Sequence, residues 1–412
     1  MASTASLSLA KPADERSQVA PSRAQIVAIL LLAAFARVVC FPKRPPDMSI
    51  FLEPWFAHIV HYGPIKAFAH PFSNYEPLYL YMLAVGSLAH GLLPAMTIIK
   101  LLSVAGTLFL TFALIDLLKA AGAKWQGALL VLVLPSVIFN DALLGQCDAL
   151  WAGSCLFALA AMCRGHTLRS MVWCGIAIAF KAQAAFIAPV IVGAMIGRRA
   201  PLYQWAVPAL VFLATLAPAW ALGWPATKLL TVYLDQASLD QLPGRLANPW
   251  MFGTMFADHA ARHFFIVGYA AAGAAAVIIA GLAARGARDP RLLILLAALA
   301  GTVIPFLLPK MLERYYFLGD VSTLALALTI SNRPAAFAVR AVQLASILSH
   351  LTYIYFFYDP YPALLGALCA AAGIVAMCLL AAPSFTALVA DLRVALADRA
   401  TWLPRRSPGL LR

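Results

Sequence analysis

An all-α, polytopic transmembrane bundle is the fold class this chain predicts, on three observations. Of its 412 residues 63% are hydrophobic and only 11% are charged, giving a mean hydropathy of +0.84. Apolar runs near the ~20 residues that cross a bilayer recur from one end to the other. The basic residues fall in short loops between those runs, as insertion topology requires. The net charge of +13 therefore reflects loop asymmetry, not a nucleic-acid footprint, and no nucleic-acid partner is expected.

Each element follows in order. Residues 1–23 are polar, with Lys11, Asp14, Glu15 and Arg16, and lack the short apolar core of a cleavable signal. They are expected as a cytoplasmic tail, with residues 24–41 retained as the first span. About 12 spans are read in the transmembrane domain, residues 24–382: 24–41, 97–118, 126–140, 148–163, 170–183, 184–197, 202–222, 264–284, 291–308, 316–331, 337–357 and 362–382. A basic cytoplasmic tail, residues 383–412, follows. With both termini inside, Lys119, Lys124, Arg164, Arg169, Arg198, Arg199, Arg285, Arg288, Arg333 and Arg340 all fall in inner loops. That alternation holds only if the run 77–93, broken by two glycines and His90, does not cross. Residues 42–94 then form one large outer loop with two membrane-hugging helices.

The first of these helices follows Arg44-Pro45-Pro46. Asp47 occupies an N-cap position, and Met48, Phe51, Leu52, Trp55, Phe56, Ile59 and Tyr62 recur at helical spacing opposite Ser49, Glu53 and His61. The pattern reads as an amphipathic interfacial helix. Under the same topology Asp47, Glu53, Glu76, Asp141, Asp148, Asp235, Asp240, Asp258, Glu313 and Asp359 gather at the outer face, with Lys181, Lys310 and Arg314 at outer helix ends. Acids beside apolar spans are costly and mark function. The seven cysteines have no metal-ligand spacing and read as small packing residues; neither metal nor cofactor is expected. His58, His61, His70 and His90 read as surface or packing residues.

Four outer stretches carry a resemblance: Asp47–Gly63 with its continuation Tyr75-Glu76-Pro77-Leu78; "FNDALLGQCDALWAG" (139–153); "GRLANPWMFG" (244–253); and "LLPKMLERYYFLGD" (307–320). In this order they resemble the integral-membrane glycosyltransferases of the GT-C fold, in particular the bacterial branch using polyprenyl-phosphate sugars. Asp47, Trp55 and Gly63 look like the family's first-loop Asp and aromatic–Trp–Gly pattern, and Tyr75 opens its Tyr-Pro-Pro-Leu-like turn. Gly145, Gln146 and Asp148 match a Gly-Gln-x-Asp turn, and Lys181 with Gln183 a Lys–Gln-like pair. Asn248 and Trp250 look like an Asn-x-Trp element; Met311, Glu313, Arg314 and Tyr315 are similar to a Met-His-Glu-Arg-Tyr element. Two positions depart from the pattern: Leu312 stands where the family has His, and Glu76 replaces the first proline of the turn.

The resemblance implies transfer of a hexose, of mannose or glucose type, from a polyprenyl-phosphate donor to a hydroxyl of a glycan or lipid acceptor at the periplasmic face of a bacterial inner membrane, with inversion. A hydroxyl attacking an anomeric carbon needs a base, whereas a phosphate leaving group needs cationic donors more than an acid. Asp47 is the candidate base. Arg314, Lys310 and Lys181 are candidates for the donor phosphate. Glu53, Tyr75, Gln146, Asp148, Gln183, Asn248, Trp250, Glu313 and Tyr315 are candidates for substrate contact. Simpler readings stand beside these: Asp47 as a helix cap, Lys181 snorkelling outward, Arg314 merely paired with Glu313, Gln146 and Asp148 as turn residues, Asn248 and Trp250 as structural. A lipid or saccharide transporter would carry internal repeats and midplane charge, and neither is evident. An envelope oligosaccharide ligase or polymerase would place acids and arginines similarly.

Overall fold

The structure, a computed structural model, describes residues 21–238, 245–252, 264–355 and 359–401, and among these every regular element is helical. Among the described residues, seven helices are long and apolar enough to cross a membrane. They include α1 (Arg23–Cys40) and, after two shorter helices α2 (Glu53–Tyr62) and α3 (Pro77–Ser87), α4 (Ala95–Ala120). A turn Trp125–Val133 and the short α5 (Pro135–Ile138), extended by a π-turn to Leu144, together make an eighth candidate bent by 56°.

Of the expected dozen, seven among the described residues are helices long and apolar enough to cross unaided, or eight with the bent pair. The remaining runs form shorter helices: α6 (Asp148–Cys163), α7 (Thr167–Phe180), and α8 (Ala188–Gly197) with its 3₁₀ lead-in. Then follow α9 (Val207–Ala221), α10 (Ala226–Ser238), α11 (Phe265–Arg285), α12 (Pro290–Leu307), α13 (Phe317–Ile330), α14 (Arg333–Ile354) and α15 (Tyr361–Thr401). Of these, α13 is also short. Helix α3 has 11 residues, about 16 Å of rise, well under the ~30 Å of hydrocarbon. Helix α15 runs through Pro383 into the segment read as a tail.

Burial separates centre from rim. From Asp148 to Met162, only Phe157 of α6 is not buried, so this helix forms the axis, flanked by α4 and α7. On α1, α9, α11 and α15 large apolar side chains such as Leu31, Phe35, Leu210, Val277 and Leu368 lie exposed. A chain that turns leucine outward on its longest helices belongs in a bilayer. Helix pairs close on small residues. Gly193 and Gly197 of α8 meet the backbone of Ala280 and Ala284 of α11, leaving no room for a Cβ. Gly301 of α12 and Gly319 of α13 touch in the same way.

Two buried cations fix the end of the bundle that holds the segment 41–94. Arg37, in the last turn of α1, pairs with Asp141 at 2.7 Å and also donates to the Leu132 carbonyl; Thr107 donates to the same carboxylate. Lys100 of α4 donates to the carbonyls of Phe41 and Lys43, satisfying groups that the end of α1 leaves unpaired. The chain leaving α1 is thereby pinned just ahead of Pro45-Pro46-Asp47. The stripe Met48, Leu52, Trp55, Phe56 and Ile59 then turns into the protein, where all five are buried. The apolar face expected to lie on lipid lies instead on α3 and α4. Apolar residues at helical spacing mark a face that needs covering, not what covers it.

Candidate functional site

Four separate segments deliver side chains to one polar cluster, and local chemistry explains each delivery. In the first, the helical run begins at Pro46, so Asp47 is already inside it, with φ −57° and ψ −35°, and its side chain makes no cap bond. The cap reading is thus overturned. The run starts with a π-turn, Met48–Leu52, which widens the first turn. The Asp47 carboxylate points across the bundle: Oδ2 accepts from Gln146 Nε2 at 3.0 Å and lies 3.1 Å from Arg314 Nη1, and Oδ1 accepts from the Tyr353 hydroxyl at 2.7 Å.

The second segment is the turn between α5 and α6. Gly145 closes the π-turn Phe139–Leu144 in the left-handed conformation, φ +69°, and its N–H bonds the Asn140 carbonyl. A Cβ there would sit 2.6 Å from Cε of Met48. Met48 thus rests on the glycine, bringing Asp47 next to Gln146. Gly145→Ala is expected to destabilise the protein by roughly 1–2 kcal/mol from backbone conformation alone, with the clash adding to it. A lowered unfolding temperature in detergent with wild-type expression would show it; an unchanged midpoint would refute it.

Third, the chain breaks between α7 and the turn Ala182–Ile187, and Lys181 takes an extended conformation there, φ −158° and ψ 145°. Its ammonium turns inward, not outward as a snorkelling lysine would. It donates to Asp148 Oδ1 at 2.6 Å and to Gln146 Oε1 at 3.3 Å, and lies 4.9 Å from the centre of the Tyr75 ring. Asp148 is held from every side, by Lys181, Trp151 Nε1 at 2.8 Å and Asn140 Nδ2 at 2.6 Å, with Arg314 Nε at 3.7 Å. The Tyr75 hydroxyl donates to Gln146 Oε1. Burial pushes that phenol up to about 12, so it remains a donor.

The fourth segment is the loop from Leu308 to Tyr316. Arg314 ion-pairs with Glu313, with Asp47 and, more distantly, with Asp148. Lys310 precedes it with φ 60°. Gln183 bonds Tyr315, whose ring meets Phe186. The described part of the third stretch splints this loop: Asn248 donates to the Leu308 carbonyl at 3.2 Å, Trp250 Nε1 to Leu307 at 2.8 Å, and Leu246 N–H to Met311. Tyr316 answers by donating to Ala247. Asn248 and Trp250 thus act on the loop backbone. Glu53 pairs with Arg44.

Two contributors were not singled out from the sequence. Tyr353, at the end of α14, holds Asp47 and carries the Arg245 guanidinium 4.9 Å over its ring. Asn140 orients Asp148. Among the described ion pairs of the cluster, Lys181 and Arg314 join the three acids Asp47, Asp148 and Glu313. The side chains of Asp148 and Glu313 are 3% and 1% exposed; that of Asp47 is 17% exposed. Among the three, Asp47 is the carboxylate a substrate can reach. No family model matches the chain, and no curated protein matches it.

Proposed function

We propose that the protein is a membrane glycosyltransferase of the GT-C kind, moving a hexose from a polyprenyl phosphate to an acceptor hydroxyl. The convergence of Asp47, Gln146, Lys181 and Arg314, from four segments that each resemble a family element, carries the reading. The chain crosses the membrane about twelve times, the shorter helices included, with both termini cytoplasmic and the cluster at the periplasmic face of a bacterial inner membrane. The basic-loop alternation supports that orientation.

In this reaction the acceptor O–H gives its proton to Asp47 as the oxygen attacks the anomeric carbon. The carbon–oxygen bond to the acceptor forms while the bond to the phosphate oxygen breaks on the opposite face, inverting the centre. The electron pair leaves with polyprenyl phosphate, and Arg314, Lys181 and Lys310 stabilise its charge. Tyr353 and Gln146 hold the Asp47 carboxylate, with one oxygen turned to each, as a positioned base requires.

Purified protein in lipid, given polyprenyl-phosphate mannose or glucose, should consume one donor in the presence of an envelope lipid fraction as acceptor. Consumption of neither, by protein whose folding is verified, would remove the reading. Cysteines introduced at 66–74 should label from outside in a cysteine-free background, and those at 119–124 should not; the reverse would invert the topology.

A further inference from the structure

At the end of the bundle away from the Asp47 cluster, three turns meet. Helix α6 starts beside the cluster at Asp148, and α7 returns to it at Lys181. The α6–α7 turn therefore lies the length of α6 away, about 24 Å for its 16 residues. The end of α8 and the α11–α12 turn reach the same level. A Cβ on Gly165, in the α6–α7 turn, would lie 3.1 Å from Nη1 of Arg198, the residue that ends α8. A Cβ on Gly197 would lie 2.8 Å from that of Ala287. Arg198 and Arg288 thus each follow directly on one contact between α8 and the α11–α12 turn.

Acids near this end are committed elsewhere. Asp116 pairs with Arg164 at 2.8 Å, and Asp391 with Arg285 at 2.6 Å. Asp289 caps α12, accepting from the N–H groups of Arg291 and Leu292. Arg198 is left without one. Its Nε is buried with no hydrogen-bond partner, and among the described residues the charge that acts on it is another cation, Arg288. Arg288 is exposed, and no described residue pairs with it. Two neighbouring guanidinium groups without a carboxylate repel each other, and a buried N–H without an acceptor is costly. An oxyanion answers both: a phosphate accepts from the planar fork of Arg198 and offsets the charge of Arg288.

Apolar surface continues from the pair. Val192 and Ile196, one turn apart on α8, are exposed, as are Leu202 and Tyr203 just beyond it. Helix α12, a candidate span, starts at this end and rises about 27 Å over 18 residues, close to the ~30 Å of hydrocarbon. The arginines therefore stand near headgroup level, above side chains that face acyl chains. A free phosphate would use the arginines and leave the apolar surface idle. With no carboxylate beside the pair to hold a choline or ethanolamine cation, a headgroup of net negative charge is favoured.

We infer that Arg198 and Arg288 bind the phosphate of an anionic phospholipid whose chains lie along Val192 and Ile196. The inference does not depend on the transferase reading.

In the test, full-length protein in neutral detergent is titrated with dioleoylphosphatidylglycerol, with dioleoylphosphatidylcholine and with inorganic phosphate. Native mass spectrometry counts bound lipid, and the melting midpoint is followed in parallel. Phosphatidylglycerol should bind wild type more tightly than phosphatidylcholine and raise the midpoint, while inorganic phosphate at equal concentration should not raise it. Arg198→Ala and Arg288→Ala should each weaken phosphatidylglycerol binding about fivefold, the share of one basic residue at an anionic surface, and leave phosphatidylcholine binding unchanged. Arg333→Ala, which removes a charge from another loop, should leave both unchanged.

Should Arg198→Ala not fold, Arg288→Ala and Arg198→Lys carry the comparison; the lysine keeps the charge without the fork and should bind less tightly than wild type. Equal binding of the two lipids overturns the site. So does unchanged phosphatidylglycerol binding in the arginine variants, or an equal loss in Arg333→Ala, which would make the attraction one of diffuse charge. A midpoint raised as far by inorganic phosphate as by phosphatidylglycerol overturns the lipid as occupant.

Discussion

Asp47→Asn should fold, insert and bind donor like the wild type, yet turn over roughly 10²–10⁴-fold more slowly, the usual share of a general base. The contacts explain why the fold should tolerate the change. The Tyr353 hydroxyl, a donor to Oδ1, can rotate to accept from an asparagine amide nitrogen. The remaining oxygen still accepts from Gln146 and still faces Arg314. Only basicity and one negative charge are lost. No cap is lost, because Asp47 caps nothing. The measurement is single-turnover transfer with bound donor, beside a melting curve. Near-wild-type turnover in folded Asp47→Asn would remove Asp47 as base, and burial would then argue against Asp148 and Glu313 as substitutes. Tyr353→Phe, which frees one carboxylate oxygen, should slow turnover far less, since a neutral hydrogen bond contributes about 0.5–1.5 kcal/mol.

How much of this was legible beforehand varies by residue and has physical reasons. Asp148, Lys181 and Arg314 were readable because charge beside an apolar helix is costly and stands out, and Gln146 from the turn it shares with Gly145 and Asp148. Their partners were not. Tyr353 ends an apolar helix, where aromatics are ordinary, and its bond to Asp47 spans 306 residues. Asp47 after two prolines reads as a cap, but Pro46 itself fits a helical first turn, which moves the start back by one residue. Arg37 and Lys100 sit inside runs that read as plain spans, and only tertiary packing reveals what they hold. The lengths of the crossings were less legible, for a related reason. The runs 148–163, 170–183 and 316–331 fold as helices of 14–16 residues, bounded by the break at Lys181 and the turn that ends at Tyr316, so their length alone does not show whether they cross. The stripe from Met48 to Ile59 showed an apolar face correctly, while its partner, protein and not lipid, is a property of the whole chain.

Arg314→Ala should be the most damaging single change, for stability as well as for donor use. The guanidinium is buried and bridges Glu313, Asp47 and Asp148, so its loss takes an ion-pair partner from three carboxylates, of which Asp148 keeps Lys181. Breaking a buried pair from one side costs about 3–5 kcal/mol, mostly from the charge left behind. That mechanism makes a second prediction. Glu313→Gln added to Arg314→Ala removes one stranded charge and should recover about 1–2 kcal/mol, a coupling read from a double-mutant cycle of melting midpoints. Additive midpoints would mean that Glu313 and Arg314 do not share a charge balance. The doubly substituted protein also separates structure from function. With stability partly restored, use of a polyprenyl-phosphate donor should remain weakened by roughly ten- to a hundredfold, the loss of one charge-assisted bond. Acceptor dependence should stay the same. Restored donor use in the double variant would make Arg314 a structural counter-ion and shift the phosphate contact to Lys181. Arg314→Lys should fall between, because an ammonium keeps the charge but cannot reach three carboxylates from one plane.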